Sequence, residues 1–457
     1  MSALVSSLKL DLRDTTGLTK AKTRPNIIFI VADDLGFADL GCYGGRVPVS
    51  PVLDGLAAGG IKFTQGYSNS PVCSPTRFAL MTARYQYRLR GAAEEPINSK
   101  SRGSSTLGLP PEHPTLPSML QASGYRTALV GKWHLGYPPH FGPLQSGYQE
   151  FFGPLSGGVD YLTHCDSTGT HDLWLGKEEK NENGYLTDLL SNRAVDVVNR
   201  MTQDGSGQPF FMSLHYTAPH WPWQTREDVE SGNPVKGSLF DLAGGNIHTY
   251  GRMIAQMDEG IGWVMNALRK NGAIDNTLVV FTSDNGGERF SDTWPLVGGK
   301  MDLTEGGIRV PWIAHWPQGI APAAVSQQHC MTMDWSATML DIAGVAADAG
   351  YPFDGISLLP VLTDATHRFE RPLFWRMKHR GQRAGRDGRW KYLRVDGHDY
   401  LFDLDADERE RANLAKAEPQ RLDAMRTAWQ AWDASMPPIP TDASVSLGYS
   451  VADMPQR

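Results

Sequence analysis

Cysteine is scarce in this 457-residue chain: Cys42, Cys73, Cys165 and Cys330 lie far apart and form no CxxC pair. Neither a disulfide scaffold nor a cysteine zinc site is expected, and the chain reads as reduced. Positive charge is also in deficit, with 43 Lys and Arg against 50 Asp and Glu and a formal net charge of -7. Nucleic acids and anionic membranes favour clustered Lys and Arg, so neither is an expected partner. Any anion the protein handles must therefore meet a local positive pocket. Apolar runs long enough to cross a bilayer are missing. Met1 to Pro25 alternate polar and charged types and lack the apolar stretch of a secretory signal. The expectation is a cytoplasmic enzyme, or a periplasmic one if a leader has been trimmed. Internal repeats and low-complexity tracts are absent as well.

What is present fits a soluble globular chain with a large core: 40% of residues are hydrophobic and 20% are charged. Four apolar segments read as buried strands that end in chemistry. Asn26 to Ala32 runs into Asp33-Asp34-Leu35-Gly36, and Thr277 to Ser283 runs into Asp284-Asn285-Gly286-Gly287. Tyr125 to Val130 leads to Gly131-Lys132-Trp133-His134, and Pro209 to His215 leads to Pro219-His220-Trp221-Pro222. Continuous β-branched runs suit strands covered on both faces of a parallel sheet. Helical patterns lie between them, at Val52 to Gly59, Leu116 to Ser123, Leu186 to Met201 and Tyr250 to Lys270. In the last, Met253, Met257, Ile261, Val264 and Leu268 form a core-facing stripe.

This alternation predicts an α/β fold, a large and mainly parallel sheet with helices on both faces. In such sheets the ligand crevice lies outside the carboxyl ends of the strands, which would bring the four polar ends to one site. After Leu362 the composition changes to short strands near 371–376, 390–394 and 400–404 and a last helix, Pro419 to Ala434. The expected domains are 1–362, a catalytic α/β unit, and 363–457, a smaller antiparallel sheet with a packed helix and tail.

Asp33, Asp34, Asp284 and Asn285 offer three carboxylates and one amide carbonyl, a set that suits a hard divalent cation without His or Cys. Each pair alone reads equally as a turn or helix cap. Pro75 suits a first helical turn and Ser74 or Cys73 its cap, which would set residue 73 at the positive end of a helix dipole. A buried structural cysteine is the plain alternative. Lys132 and His134 are two apart, so an extended segment would project both to one side. Prolines on both sides stiffen the loop that carries His220. The aromatic residues Trp174, Trp221, Trp223 and Trp294 either line a leaving-group mouth or pack in the core.

Cys73-Ser74-Pro75-Thr76-Arg77 is the C-x-P-x-R core of the sulfatase signature, and the flanks Phe63 to Tyr67 and Phe78 to Arg84 follow the same pattern. The chain thus resembles the type I, formylglycine-dependent sulfatases of the alkaline phosphatase superfamily from about Arg24 to the carboxyl-terminal region, and its last strands and helix resemble their small terminal domain. The resemblance implies oxidation of Cys73 to Cα-formylglycine by a formylglycine-generating enzyme, and a Ca²⁺ ion, or Mg²⁺ or Mn²⁺, on Asp33, Asp34, Asp284, Asn285 and residue 73. The hydrated aldehyde would offer one hydroxyl to attack sulfur and a second through which sulfate leaves, an exit that a thiol lacks. It further implies Lys132 and Lys300 as sulfate-binding cations and His134 as the base that unmasks the aldehyde, a role Asp284 could also take. His220 would be the general acid, and Arg77, one turn past Cys73, would fix the diol or the ligand carboxylates. Thr76 and Ala83 depart from the usual serine and glycine, and the alanine bears on how well the converting enzyme reads the segment.

The activity so implied is hydrolysis of a small anionic sulfate monoester, aryl or related. A phosphodiester or phosphonate monoester hydrolase shares the same parts, and a non-catalytic binder of sulfated ligands shares the pocket. An oligomer is possible, with the tail from Met436 to Arg457 wrapping a neighbour or lying disordered.

Overall fold

The computed structural model of the chain describes residues 24–231 and 244–446. Its strands are β1 (Asn26–Ala32), β2 (Ile61–Phe63), β3 (Gly66–Tyr67), β4 (Arg126–Gly131), β5 (Glu150–Gly153), β6 (Trp174–Leu175), β7 (Glu178–Glu179) and β8 (Phe210–His215). There follow β9 (Thr277–Ser283), β10 (Trp312–His315), β11 (Ala324–Ser326), β12 (Cys330–Met331), β13 (Leu373–Arg376), β14 (Arg383–Asp387), β15 (Trp390–Val395) and β16 (His398–Asp403). The α-helices are α1 (Pro51–Ala58), α2 (Cys73–Thr82), α3 (Leu116–Ala122), α4 (Leu186–Gln203), α5 (Arg226–Ser231), α6 (Ile247–Lys270), α7 (Glu305–Ile308), α8 (Thr332–Ile342), α9 (Leu359–Thr363) and α10 (Pro419–Asp433).

Ten strands form one sheet in the order β11-β2-β10-β9-β1-β8-β4-β5-β6-β7. Its centre, β9-β1-β8-β4-β5, is parallel throughout, while β10 runs antiparallel to both β9 and β2, and β6 and β7 continue antiparallel beyond β5. β1 shows why the apolar run is continuous: both faces are covered. Ile28 and Ile30 join α1, α4 and α6 in one core, whereas Ile27, Phe29 and Val31 meet α2, α3 and α8 on the other side. The alternation of period two feeds two separate helical layers. All five residues of the predicted α6 stripe are buried in the first of them.

The second sheet is antiparallel, in the order β13-β14-β15-β16. One face carries α10 through Phe374, Tyr392, Leu401, Leu422, Met425 and Trp429. Its other face, with Trp375, Leu393 and Phe402, packs on Tyr67, Val72, Ala79 and Ile308 of the first unit. β14 was not expected from the sequence, because Arg383-Ala384-Gly385-Arg386-Asp387 has neither the apolar alternation nor the β-branching that marks a strand. Cross-strand pairing with β13 and β15 supplies what propensity lacks.

Of the tail from Met436, the part through Ser446 is described, and residues 447–457 lie outside the described residues. The described part folds against its own chain, with the Glu95 N–H donating to Ser444 O and the Ser446 N–H to Glu95 O, each at 2.9 Å. Among the described residues no helix is long and apolar enough to cross a membrane.

Candidate active site

Four parallel strands end at one crevice. Asp33 and Asp34 follow β1, Lys132 and His134 follow β4, His220 follows β8, and Asp284 and Asn285 follow β9. Cys73 enters from the amino end of α2. Single ligand atoms of Asp33, Asp34, Cys73 and Asp284 all lie within 4.8 Å of one another. Cys73 Sγ is 3.4 Å from Asp33 Oδ1 and 3.9 Å from Asp34 Oδ1.

The cap of α2 differs from the expected one. Val72 is the N-cap, Cys73 is already helical, and no side chain caps the turn. Ser74 Oγ instead accepts the N–H of Ile97 at 2.9 Å, a distant backbone group that the local sequence could not signal. Cys73 stays in the first turn, where the helix dipole is felt.

Each carboxylate has its own cation. Lys132 Nζ donates to Asp33 Oδ2 at 2.5 Å and Lys300 Nζ to Asp34 Oδ2 at 2.6 Å. Arg77 donates twice to Asp284 Oδ2, from Nε at 3.1 Å and Nη2 at 2.9 Å, while its Nη1 donates to Lys132 O at 3.1 Å. All six side chains are buried. Burial opposes ionisation of Asp34, but Lys300, His220 and Lys132 outweigh it and hold the carboxyl well below the usual range. Asp284 moves the other way, up to about 6, because burial and the Asp33 charge exceed the pull of Arg77. The Cys73 thiol is pushed well up by burial and Asp33, so an unmodified cysteine here is a poor thiolate.

Asn285 Nδ2 donates to Asp34 Oδ1 at 2.7 Å, yet its Oδ1 is buried without a hydrogen-bond partner. A buried acceptor without a partner, on a residue bonded to Asp34, is a group that a bound cation would satisfy. The donor set, oxygens alone apart from residue 73, fits a hard divalent ion.

The two histidines differ in their contacts. His134 Nε2 faces Ile97 O at 2.6 Å, which assigns the proton to Nε2, and its Nδ1 has no partner. Burial and then Lys132 drive its pKa well down. Its backbone is left-handed at φ 61, so Lys132 and His134 do not follow the extended alternation expected of them. Gly157 lies against the ring: a Cβ there would fall 2.4 Å from His134 Cε1. His220 donates from Nδ1 to Trp221 O at 2.6 Å and turns Nε2 toward Asp34 Oδ2 at 3.5 Å. Burial and Lys300 lower its pKa to about 3.

Of the four candidate aromatics, Trp221 lines the cavity above Cys73. Trp223 is buried against Phe290, Trp174 is half-buried against the α2 layer, and Trp294 is exposed beneath Arg409. Sequence reasoning missed Glu288, a part-buried carboxyl 3.7 Å from Lys300 Nζ whose pKa is raised to about 7, first by desolvation of the carboxylate. Its position four residues past Asp284 was the available signal. It also missed Gln382 from the second unit, which donates to Met301 O and accepts from the Leu303 N–H, gripping the turn just after Lys300.

Three carboxylates gathered around Cys73 and flanked by two buried lysines make a site that suits an anionic ester. The family model described as "Sulfatase" matches residues 25–345, and one described as "N-sulphoglucosamine sulphohydrolase, C-terminal" matches 299–428. The chain is 33% identical over 374 residues to N-acetylgalactosamine-6-sulfatase of Rattus norvegicus, covering 77% of this chain and 68% of that one. To arylsulfatase A of Homo sapiens it is 31% identical over 501 residues, covering 95% and 91%. The solved structure of Ps i-CgsB in complex with k-i-k-neocarrahexaose superposes with a TM-score of 0.81 at 30% identity, over 91% of this chain and 94% of that one. The chain belongs to the sulfatase family and is a sulfuric ester hydrolase.

Proposed function

We propose that the 1–362 unit cleaves a sulfate monoester at residue 73 in its formylglycine form, with Asp33, Asp34, Asp284 and Asn285 holding a divalent cation such as Ca²⁺ or Mg²⁺. The observation that carries this reading is the Cys73 side chain, buried at the amino end of α2 within 4.8 Å of three carboxylates. When bound, the cation supplies charge that polarises the sulfate oxygens and favours an ionised nucleophile. As the aldehyde hydrate, residue 73 has one hydroxyl for attack and a second for release of sulfate.

The remaining roles fall to the chain's own groups. Lys132 and Lys300 offer fixed ammonium groups to sulfate oxygens. His134 Nδ1, with an unshared lone pair, takes the proton whose loss releases sulfate, and the Ile97 carbonyl holds the ring in that tautomer. His220 Nε2 gains a proton before it can donate to the leaving oxygen, and the Asp34 carboxylate beside it favours that cation. Arg77 holds Asp284 in place. The alcohol we read as a saccharide: the rat relative is an N-acetylgalactosamine-6-sulfatase, and the Ps i-CgsB structure holds a neocarrahexaose.

The mass of the tryptic peptide Phe63 to Arg77 tests the modification, with the aldehyde expected and a thiol in fully active protein overturning it. Cys73→Ala is expected to abolish turnover of 4-nitrophenyl sulfate with an unchanged melting temperature. Comparison with matched phosphodiester and phosphonate esters gives the preference for sulfur.

A further inference from the structure

Lys300 stands at the start of a tight turn. The Lys300 N–H donates to Gly287 O at 3.0 Å, the Met301 N–H to Pro71 O at 2.9 Å and the Asp302 N–H to Gly299 O at 3.0 Å. Met301 is left-handed at φ 73, a region that a residue with a Cβ disfavours. Such a conformation persists only where its surroundings over-determine it. Glycine would relieve the strain, but the Met301 side chain is buried in one cluster with Tyr67 and Val72 of the first unit and Trp375 and Met377 of the second. Removing it would leave that space empty.

The second unit supplies the restraint. Gln382, buried immediately before β14, closes its amide on both sides of the turn: Nε2 donates to Met301 O at 2.8 Å and Oε1 accepts the Leu303 N–H at 2.9 Å. A donor and an acceptor used together satisfy two buried backbone groups that have no strand beside them. The Gln382 backbone is fixed in turn, its carbonyl accepting the Met377 N–H at 2.9 Å. Met301 is thus clamped between Pro71, two residues before Cys73, and a side chain of the second unit.

Lys300 has little room to absorb a shift of that turn. Its Nζ lies 2.6 Å from Asp34 Oδ2 and 3.7 Å from Glu288 Oε2, and its side chain is buried. A displaced backbone would carry the ammonium away from any anion held beside Cys73, and small misplacements of a fixed charge are costly.

We propose that Gln382 is a positioning residue for Lys300, through which the second unit sets how tightly the crevice holds the sulfate group. The inference rests on the reading of Lys300 as a sulfate-binding cation, and the experiment separates the two. Calorimetric titration with sodium sulfate compares the full-length parent with Gln382→Met, Leu422→Ala and Lys300→Ala, and KM and kcat for 4-nitrophenyl sulfate are measured for the first three.

Gln382→Met keeps the bulk and removes both hydrogen bonds. It is expected to weaken sulfate and raise KM by about ten-fold, the scale of two lost hydrogen bonds, with a smaller fall in kcat. Gln382→Asn, whose amide is one methylene short of the turn, is expected to weaken sulfate comparably and guards against a fold that rejects methionine. Leu422→Ala loosens the second unit from the face that α10 covers. It is expected to lower the melting temperature while sulfate affinity stays within about two-fold of the parent. Lys300→Ala binding sulfate as tightly as the parent removes the reading of Lys300 itself. If Lys300→Ala weakens sulfate and neither Gln382 variant does, the proposal is overturned. It is equally overturned if Leu422→Ala weakens sulfate as much as Gln382→Met at the same loss of melting temperature, because the effect is then a general softening.

Discussion

Arg77→Met isolates the energetics on which the site depends. Arg77 and Asp284 are both about 1% exposed, and the nearer contact is 2.9 Å. At an effective dielectric of about 20 this pair attracts by about 6 kcal/mol. Removing the guanidinium also ends its desolvation penalty, so the net loss is smaller, about 3–5 kcal/mol, and most of it is the cost of leaving a buried carboxylate unpaired. The unfolding entropy of a 457-residue chain, at about 2.1 cal/mol/K per residue, converts about 4 kcal/mol into a melting shift of about 4 °C. Differential scanning calorimetry in excess chelator reads it directly. Two further arms identify the cause. Arg77→Met combined with Asp284→Asn is expected to recover at least half the loss, because the charge that was orphaned is gone. Added CaCl₂ is expected to narrow the gap in the single variant, since a cation beside Asp284 replaces the missing charge. A shift under about 1 °C, or a double variant no more stable than Arg77→Met alone, refutes the reasoning.

Two other perturbations probe the frame around the site. Lys391 Nζ lies 2.9 Å from Glu305 Oε1 and 2.8 Å from Glu410 Oε1, all of them buried where the second sheet meets α7. Lys391→Met is expected to lower stability by about 3–5 kcal/mol and Glu410→Gln in that background to restore part of it; a neutral Lys391→Met in calorimetry contradicts the ion-pair account. Asp258 on α6 accepts the N–H groups of Val52 and Leu53 at the start of α1, at 2.9 and 2.8 Å. Burial raises its pKa from the ordinary 3.8 to about 6. The fold thus prefers the protonated acid, a contribution fully present below about 3.8 and lost as pH rises through about 6. Relative to Asp258→Asn, the parent's melting temperature is expected to fall between these values and then level off; a gap constant with pH removes Asp258 as the cause.

Strand chemistry made much of this protein legible from residues in a row. β1 and β9 carry apolar runs covered on both faces, and such runs ending in Asp33-Asp34 and Asp284-Asn285 announce themselves locally. So do Cys73-Ser74-Pro75-Thr76-Arg77 and the α6 stripe, whose spacing is the period of a helix. Groups that meet across long separations were not readable. Ser74 serves the Ile97 backbone instead of capping its own helix. His134 takes a left-handed backbone whose neighbours must accommodate it, Gln382 grips the Lys300 turn from another sheet, and β14 is a strand only because its partners pair with it.

The sequence by itself determined the Cys73-Ser74-Pro75-Thr76-Arg77 motif, the polar residues that end β1 and β9 and the parallel sheet that presents them, because each is a short-range pattern set by backbone period or by adjacent side chains. Only the tertiary structure decided which cation neutralises which carboxylate, which histidine nitrogen is bare, and that Ser444 to Ser446 wall the cavity over Cys73. These depend on distances between segments that chain order does not encode, set by the packing of the two sheets and their helices around one crevice.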